Sequence, residues 1–206
     1  MRSPAAIVPL LVAVAVLSGC AAGAADTVPA PAPTAPERPA DELTARALVL
    51  DGGEGAELCL GGVGESLPPV CGGPRIEGWD WAGVEGEESV SGSTWGDYEV
   101  FGTWDGTTFT LTRTPEPYDP RAPSTEAPLP EPTPGDPANA EAVARAIEDY
   151  ASEMGTPDGP LSLGEYLGRA SVQVIHDDGT QQAEADAQYG EDVVEIWSSL
   201  RPADGE

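Results

Sequence analysis

The stretch DYEVFGTWDGTTFTLTRT, residues 97–114, decides the fold predicted for the first half of the chain. Apolar and polar residues alternate on both sides of Asp105-Gly106, and this pair favours a type I′ turn because both residues tolerate positive φ. With these two residues as the loop, Phe109 pairs with Gly102 and covers the backbone that glycine leaves bare. The stretch therefore predicts a β-hairpin with one apolar face.

One aromatic of this hairpin does not fit the alternation. The face expected to be buried carries Tyr98, Val100, Gly102, Trp104, Phe109 and Leu111. Phe101 lies on the other face beside Asp97 and Glu99, without a hydrophobic cross-strand partner. Such a ring is either covered by the rest of the chain or available to a ligand.

The residues before the hairpin also indicate β-structure. Residues 45–50 and 57–60 are predicted strands joined by a turn at Gly52-Gly53. Four of the five tryptophans, namely Trp79, Trp81, Trp95 and Trp104, fall in the same region. Trp79 and Trp81 together with Phe101 are candidate contacts for a sugar or peptide, whereas the alternative is that these rings build the core. Residues 43–114 are thus predicted to form a mostly β module, a small antiparallel sheet or barrel.

A Pro-rich linker, residues 115–137, precedes a second module at 138–206 that is predicted to be α+β. Its first helix has Asp136 or Asn139 as cap, Pro137 in the first turn and Gly155 past the end. The apolar residues at helical spacing, expected to face a core, are Val143, Ile147, Tyr150 and Met154.

The remainder of the second module is expected to contain one short helix and three strands. Ser162 and Glu165 form a capping box, which predicts a helix start near Ser162. The strands are predicted at 171–177, 180–188 and 192–198, the first two joined by a hairpin at Asp178-Gly179.

The N-terminus has the pattern of an export signal. Met1 and Arg2 precede an apolar run over residues 5–17, too short for a bilayer span, which ends in Leu17-Ser18-Gly19-Cys20. This ending resembles the lipobox of bacterial lipoproteins. The resemblance implies a signal peptide at 1–19, and a Cys20 that carries a diacylglyceryl thioether and often an N-acyl chain such as palmitate. The alternatives are ordinary secretion with cleavage within residues 21–25, or an uncleaved helix.

Residues 20–42 are predicted to be a tether after the lipidated Cys20. The segment places five prolines among alanines, and as extended polyproline it would reach at most about 70 Å. Short segments at 59–61, 68–74, 78–81 and 105–110 are similar to segments of uncharacterised envelope lipoproteins of high-GC Gram-positive bacteria, a resemblance that implies no activity.

The expected pairing of the three cysteines depends on the same resemblance. If Cys20 carries lipid, Cys59 and Cys71 remain and are predicted to form a disulfide in an oxidising compartment. In the chain-entropy model a loop of this length contributes roughly 3 kcal/mol. The alternatives are two free thiols or a zinc site, although the latter lacks enough soft ligands.

The charge is strongly one-sided. Against 36 acidic residues the chain has nine arginines and no lysine, a formal net charge of −27, which becomes −28 when Arg2 is removed with the signal. Phosphate backbones and anionic headgroups repel such a body, so nucleic-acid binding and direct docking on the membrane surface are excluded. A neutral envelope glycan or a basic protein is the expected partner.

The sequence predicts no catalytic residue, cofactor or metal ligand. Any triad would have to use His176, the only histidine, and no Gly-x-Ser-x-Gly elbow is present. The sequence therefore favours a non-catalytic binding or structural protein, lipid-anchored at the extracytoplasmic face of the membrane. The alternatives are a small hydrolase acting on envelope polymers and an accessory solute-binding lipoprotein.

Overall fold

The fold is described from a computed structural model, which covers residues 41–122 and 133–203. All of these residues belong to one compact unit. Its first part contains seven strands: β1 Leu43–Asp51, β2 Ala56–Cys59, β3 Arg75–Glu77, β4 Glu88–Val90, β5 Ser93–Trp104, β6 Thr108–Leu111 and β7 Glu116–Pro117.

Five of these strands close into a barrel. The ring runs β1-β2-β3-β6-β5, and β5 returns to pair with β1 along nine residues, from Leu43 opposite Gly102 to Asp51 opposite Thr94. All pairs in the ring are antiparallel except β3 with β6. This circular order makes a five-stranded Greek-key barrel of the OB type, an architecture that hosts many unrelated functions. The predicted β module is thus confirmed, and it is a barrel.

The predicted hairpin is confirmed, but its register is shifted. Trp104 pairs with Phe109 and Gly102 with Leu111, so four residues separate the closing pair. The reason is Asp105, whose carboxylate Oδ1 accepts the N–H of Thr107 at 2.8 Å and of Thr108 at 2.7 Å and organises a longer loop. Because the shift is two residues, both faces keep the predicted side chains.

The barrel core follows the predicted alternation. Tyr98, Val100 and Phe109 are fully buried, together with Val49 and Leu58 of the neighbouring strands. A side chain at Gly102 would meet the Phe109 ring at 2.8 Å, so the aromatic covers this glycine as predicted although the two residues are not directly paired.

The second part of the unit contains α1 Ala140–Glu153, β8 Ser162–Tyr166, β9 Arg169–Val174, α2 Thr180–Tyr189, β10 Val194–Ser198 and β11 Arg201–Pro202. Its sheet has the order β10-β9-β8, in which β8–β9 is antiparallel and β9–β10 parallel. Buried side chains of the helices and the sheet form a second core: Val143, Ala146, Ala170, Val172, Val174, Ala185, Val193 and Val194. The predicted α+β character is confirmed.

The helix α1 begins close to the predicted position. Asp136 accepts the N–H of Ala138 at 2.9 Å and caps a short 3-10 turn, Pro137–Asn139, that leads into α1. Gly155 follows the helix with φ +80°. Met154, however, is 45 % exposed and does not face the core as expected. Neither described helix is long and apolar enough to cross a bilayer.

The helix predicted near Ser162 is wrong. Ser162–Tyr166 is the strand β8, in which Leu163 pairs with Val172 of β9. The turn of this hairpin is Leu167-Gly168, where both residues have positive φ. Pairing with β9 therefore overrides the local capping signal.

The strand predicted at 180–188 is also wrong, because this segment is the helix α2. The Asp177 carboxylate accepts the N–H of Gln181 at 2.9 Å and of Gln182 at 3.2 Å, which satisfies free donors of the first helical turn. Gly179 therefore introduces a helix rather than closing a hairpin, and the alanines and glutamines that follow are good helix formers.

Contacts between residues far apart in the sequence join the two modules. The strand β11 is antiparallel to β1, with Leu43 opposite Pro202 and Thr44 opposite Arg201. Leu200, which precedes β11, is fully buried in the barrel core. The linker segment also contributes to the barrel, since β7 pairs with Tyr98 and Glu99 of β5.

Candidate functional site

A cavity of about 500 Å³ lies where the barrel meets the second sheet. We call it the junction groove. The barrel side and β11 contribute Arg46, Ala47, Cys59, Leu60 and Arg201. The second module contributes Ser162, Ser171, Gln173, Trp197, Ser198 and Ser199. Pockets of 300–1,000 Å³ with a few convergent polar groups are typical ligand sites.

Gln173 in β9 holds the two sides of the junction groove together. Its Nε2 donates to the Leu60 carbonyl oxygen at 3.0 Å and to Ser199 Oγ at 2.9 Å. Its Oε1 accepts from Ser162 Oγ at 2.8 Å. Both amide donors are satisfied by protein, so Gln173 fixes the groove rather than offering a donor to a ligand.

Trp197 is the exposed aromatic of the junction groove. In β10, Val194 and Ile196 pack on the second core, while Trp197 pairs with Gln173 on the opposite face of the sheet. Its side chain is 47 % exposed. Trp197 is not among the site residues predicted from the sequence, although the alternation of Val194 and Ile196 with Trp197 indicates an exposed position.

Two arginines lie at the barrel edge of the groove. Arg201 in β11 pairs with Thr44 of β1, and Arg46 is two residues further along the same face of β1. Residues on such a diagonal are about 7–8 Å apart. The Arg46 Nε lies 3.3 Å from a Glu99 carboxylate oxygen, and its guanidinium carbon is 5.2 Å from the Tyr118 ring centroid. These contacts hold Arg46 in position.

The predicted disulfide is confirmed, since Cys59 and Cys71 are bonded. Cys59 is buried at the end of β2 and lines the junction groove. The bridge closes the loop 60–70. After Cys71 the chain returns against β2, where the Leu58 N–H donates to the Pro74 carbonyl oxygen at 2.9 Å. The disulfide therefore fixes the part of the barrel that borders the groove.

A second cavity of about 690 Å³ runs beside the β5–β6 loop. Side chains that border it include Trp104, Thr107, Met154, Asp158, Leu161 and Ile175. Much of the remaining wall is glycine and proline backbone, so few side chains converge on a bound group. The junction groove, with its charged, hydroxyl and indole side chains, is the better-equipped site.

His176 lies at the edge of a smaller cavity beside Asp158 and Trp104. Its Nδ1 is 3.2 Å from the Leu200 carbonyl oxygen. Within the described residues, its ring makes no hydrogen bond to a hydroxyl or thiol. A base without a nucleophile in reach is not a hydrolytic pair.

The predicted aromatic platform is only partly assembled. Trp79 and Trp81 are half-buried and contact each other and Tyr98 edge to face, with centroid distances of 5.0–6.2 Å. Of the two alternatives for Phe101, the structure shows the covered one, since this residue is 8 % exposed and stacked under Arg113. The structure does not bring Phe101 together with the two indoles.

Two further expectations concern ligands and the anchor. Cys20 lies outside the described residues. In the part of the chain that the structure describes, no three His, Cys, Asp or Glu side chains are grouped as a metal site.

Among the described residues, Tyr189 has a strongly raised pKa. Burial and the hydrogen bond to Asp149 raise this pKa to about 12. That hydrogen bond links the helices α2 and α1.

Comparison with known proteins found no match. No family model matches the chain, and neither a curated protein nor a solved structure is significantly similar to it.

Proposed function

We propose that this chain is a non-catalytic, lipid-anchored protein of the extracytoplasmic face that binds a saccharide of the cell envelope in the junction groove. The observation that carries the proposal is the exposed Trp197 indole in a groove whose other polar side chains are serines, arginines and Gln173. A flat aromatic face supports the apolar face of a sugar ring, and hydroxyl and guanidinium groups hydrogen-bond its hydroxyls.

The rigidity of the groove supports a binding role. Its walls are held by the Cys59–Cys71 disulfide, by the Gln173 hydrogen bonds and by the β1–β11 pairing. A preformed site loses less conformational entropy when it binds.

Binding is tested by titrating the chain from residue 21 onward with envelope oligosaccharides and recording tryptophan fluorescence and calorimetric heat. Trp197→Ala should lower affinity at least about fivefold, since loss of a stacking contact costs on the order of 1–3 kcal/mol. Tyr166→Ala is the matched control, because this aromatic is 49 % exposed on β8 but does not line the groove. Equal affinity of wild type and Trp197→Ala would contradict the site.

The anchor is tested separately. Cys20→Ala should move the protein from the detergent phase to the aqueous phase. Two or three acyl chains hold a protein firmly in a membrane, and a protein without acyl chains is not held there. Mass spectrometry of the wild-type N-terminus should find a lipidated Cys20. A mature protein that begins at an unmodified residue beyond Cys20 would overturn the anchor without affecting the groove.

A further inference from the structure

The charge of the junction groove is opposite to that of the chain. The whole sequence carries 36 acidic residues and nine basic ones. Yet of the described residues that line the groove none is acidic, and two are arginines. Carboxylates repel anions. A cavity without lining carboxylates in so acidic a chain is therefore suited to an anionic ligand group.

Arg201 is the cation available to such a group. Its side chain makes no ion pair or hydrogen bond with any residue in the described ranges 41–122 and 133–203. The backbone of Arg201 is fixed, because β11 pairs with β1 and the preceding Leu200 is buried. The paired strand therefore places the guanidinium at the groove, and the N–H donors of the guanidinium are available to a ligand.

Arg46 lies beside Arg201, but its charge is already paired with Glu99. Glu99 engages its Nε and Tyr118 stacks on its guanidinium, so this cation is held beside Arg201 at a cross-strand diagonal. Trp197 lines the opposite wall from β10. A ring on Trp197 and an anionic substituent on Arg201 can thus belong to one ligand that spans the groove.

We infer that the junction groove selects an anionic saccharide, whose ring lies on Trp197 and whose carboxylate or phosphate is held by Arg201. This inference rests on the proposed saccharide-binding function and names its ligand class. It differs from the expectation, drawn from net charge, of a neutral glycan or a basic protein. Salt screens surface charges beyond about 8 Å at physiological ionic strength, so the distant part of the acidic surface weakens the attraction of Arg201 for an anion only slightly.

The test compares three oligosaccharides of equal length: one containing uronic acid, its carboxyl-reduced neutral counterpart, and one linked by phosphodiesters. Calorimetry with wild type should find the uronate or the phosphodiester compound bound at least tenfold more tightly than the neutral one, since a charge-assisted hydrogen bond contributes about that factor. The anionic compound that is preferred identifies the source of the charge.

The variants assign that preference to Arg201. Arg201→Gln should bring the ratio of anionic to neutral affinity close to one, and Arg201→Lys should keep part of it. Arg145→Gln, an exposed arginine of α1 outside the groove, is the control and should leave the ratio unchanged. Melting curves verify that each variant is folded.

The outcomes separate the two proposals. Equal affinity of wild type for the neutral and both anionic compounds would overturn the anionic preference and leave saccharide binding intact. An anionic preference that survives in Arg201→Gln would overturn the role of Arg201. Binding of none of the three compounds would overturn the saccharide function itself.

Discussion

The Arg113 guanidinium carbon lies 3.6 Å from the centroid of the Phe101 ring. The same guanidinium donates to the buried Glu42 carboxylate at 2.9 Å, so it covers the ring and neutralises an acid at once. Phe101 is therefore part of the folded body rather than a contact for a ligand.

Phe101→Ala should lower the free energy of unfolding by about 3 kcal/mol, because truncation of a buried aromatic removes its packing and leaves a cavity. Phe101→Leu, which keeps most of the volume, should cost less than about 1.5 kcal/mol. Urea unfolding followed by tryptophan fluorescence measures both. Unchanged stability of Phe101→Ala would contradict the burial of the ring.

Removal of the hydroxyl should change the free energy of unfolding in opposite directions at two tyrosines. Within the described residues the buried Tyr98 hydroxyl has no hydrogen-bond partner, whereas the Tyr189 hydroxyl donates to Asp149 at 3.0 Å. Tyr98→Phe should raise stability by about 1 kcal/mol and Tyr189→Phe should lower it by a similar amount. Urea unfolding of the pair decides this, and a loss at Tyr98→Phe would reveal a partner for its hydroxyl.

The barrel and the second module should unfold together. Leu200 comes from the second module but is fully buried in the barrel core, so Leu200→Ala should cost about 2–5 kcal/mol. Tryptophan fluorescence and helical circular dichroism should give coincident transitions in wild type. Leu67→Ala, at a 72 % exposed position, is the control and should change stability by less than about 0.5 kcal/mol. Separate transitions would contradict the coupling.

Alkaline pH should weaken the contact between α1 and α2. Burial first, and then the bond to Asp149, raise the Tyr189 pKa to about 12, from about 10 in the unfolded chain. The folded state therefore binds this proton more tightly, so its contribution to stability is complete below pH 10 and is lost as pH rises to about 12. Tyr189→Phe should remove a step of tyrosinate absorbance near pH 12. A titration without a step near pH 12 would contradict the shift.

Local patterns predicted four of the five barrel strands, namely β1, β2, β5 and β6, and missed the short strand β3. The hairpin and its faces could be derived from residues 97–114, but its register could not, since a side chain of the loop, Asp105, sets the loop length. The parallel pair β3–β6 and the edge strand β11 join distant parts of the chain, and no local pattern indicates which strands meet.

The second module illustrates competition between local signals. Ser162 and Glu165 satisfy a capping box, yet the segment gains more from pairing Leu163 with Val172 in the sheet. Conversely Asp178-Gly179 favours a hairpin turn, yet Asp177 caps the helix that follows. Propensity does not decide between such alternatives without the tertiary partners.

The candidate site was less accessible to sequence reasoning than the fold. The exposed position of Trp197 follows from alternation with Val194 and Ile196, so this residue could have been predicted. The placement of Trp197 and Arg201 in one groove could not have been predicted, because it depends on the pairing of β11 with β1. Net charge does not describe the groove either, since it averages over the whole sequence, whereas no acidic residue is among the described residues that line the groove.

The pairing of Leu43 with Pro202 has a topological consequence. Neighbouring strands lie about 4.8 Å apart, so the polypeptide between these residues traces a nearly closed circle. A few glycines could join residue 203 to residue 41, and new ends could be opened at the exposed Asp105-Gly106 loop. Such a circular permutant would sever the hairpin locally but shorten the connection between β11 and β1, so its folding rate would report which of the two closures forms first.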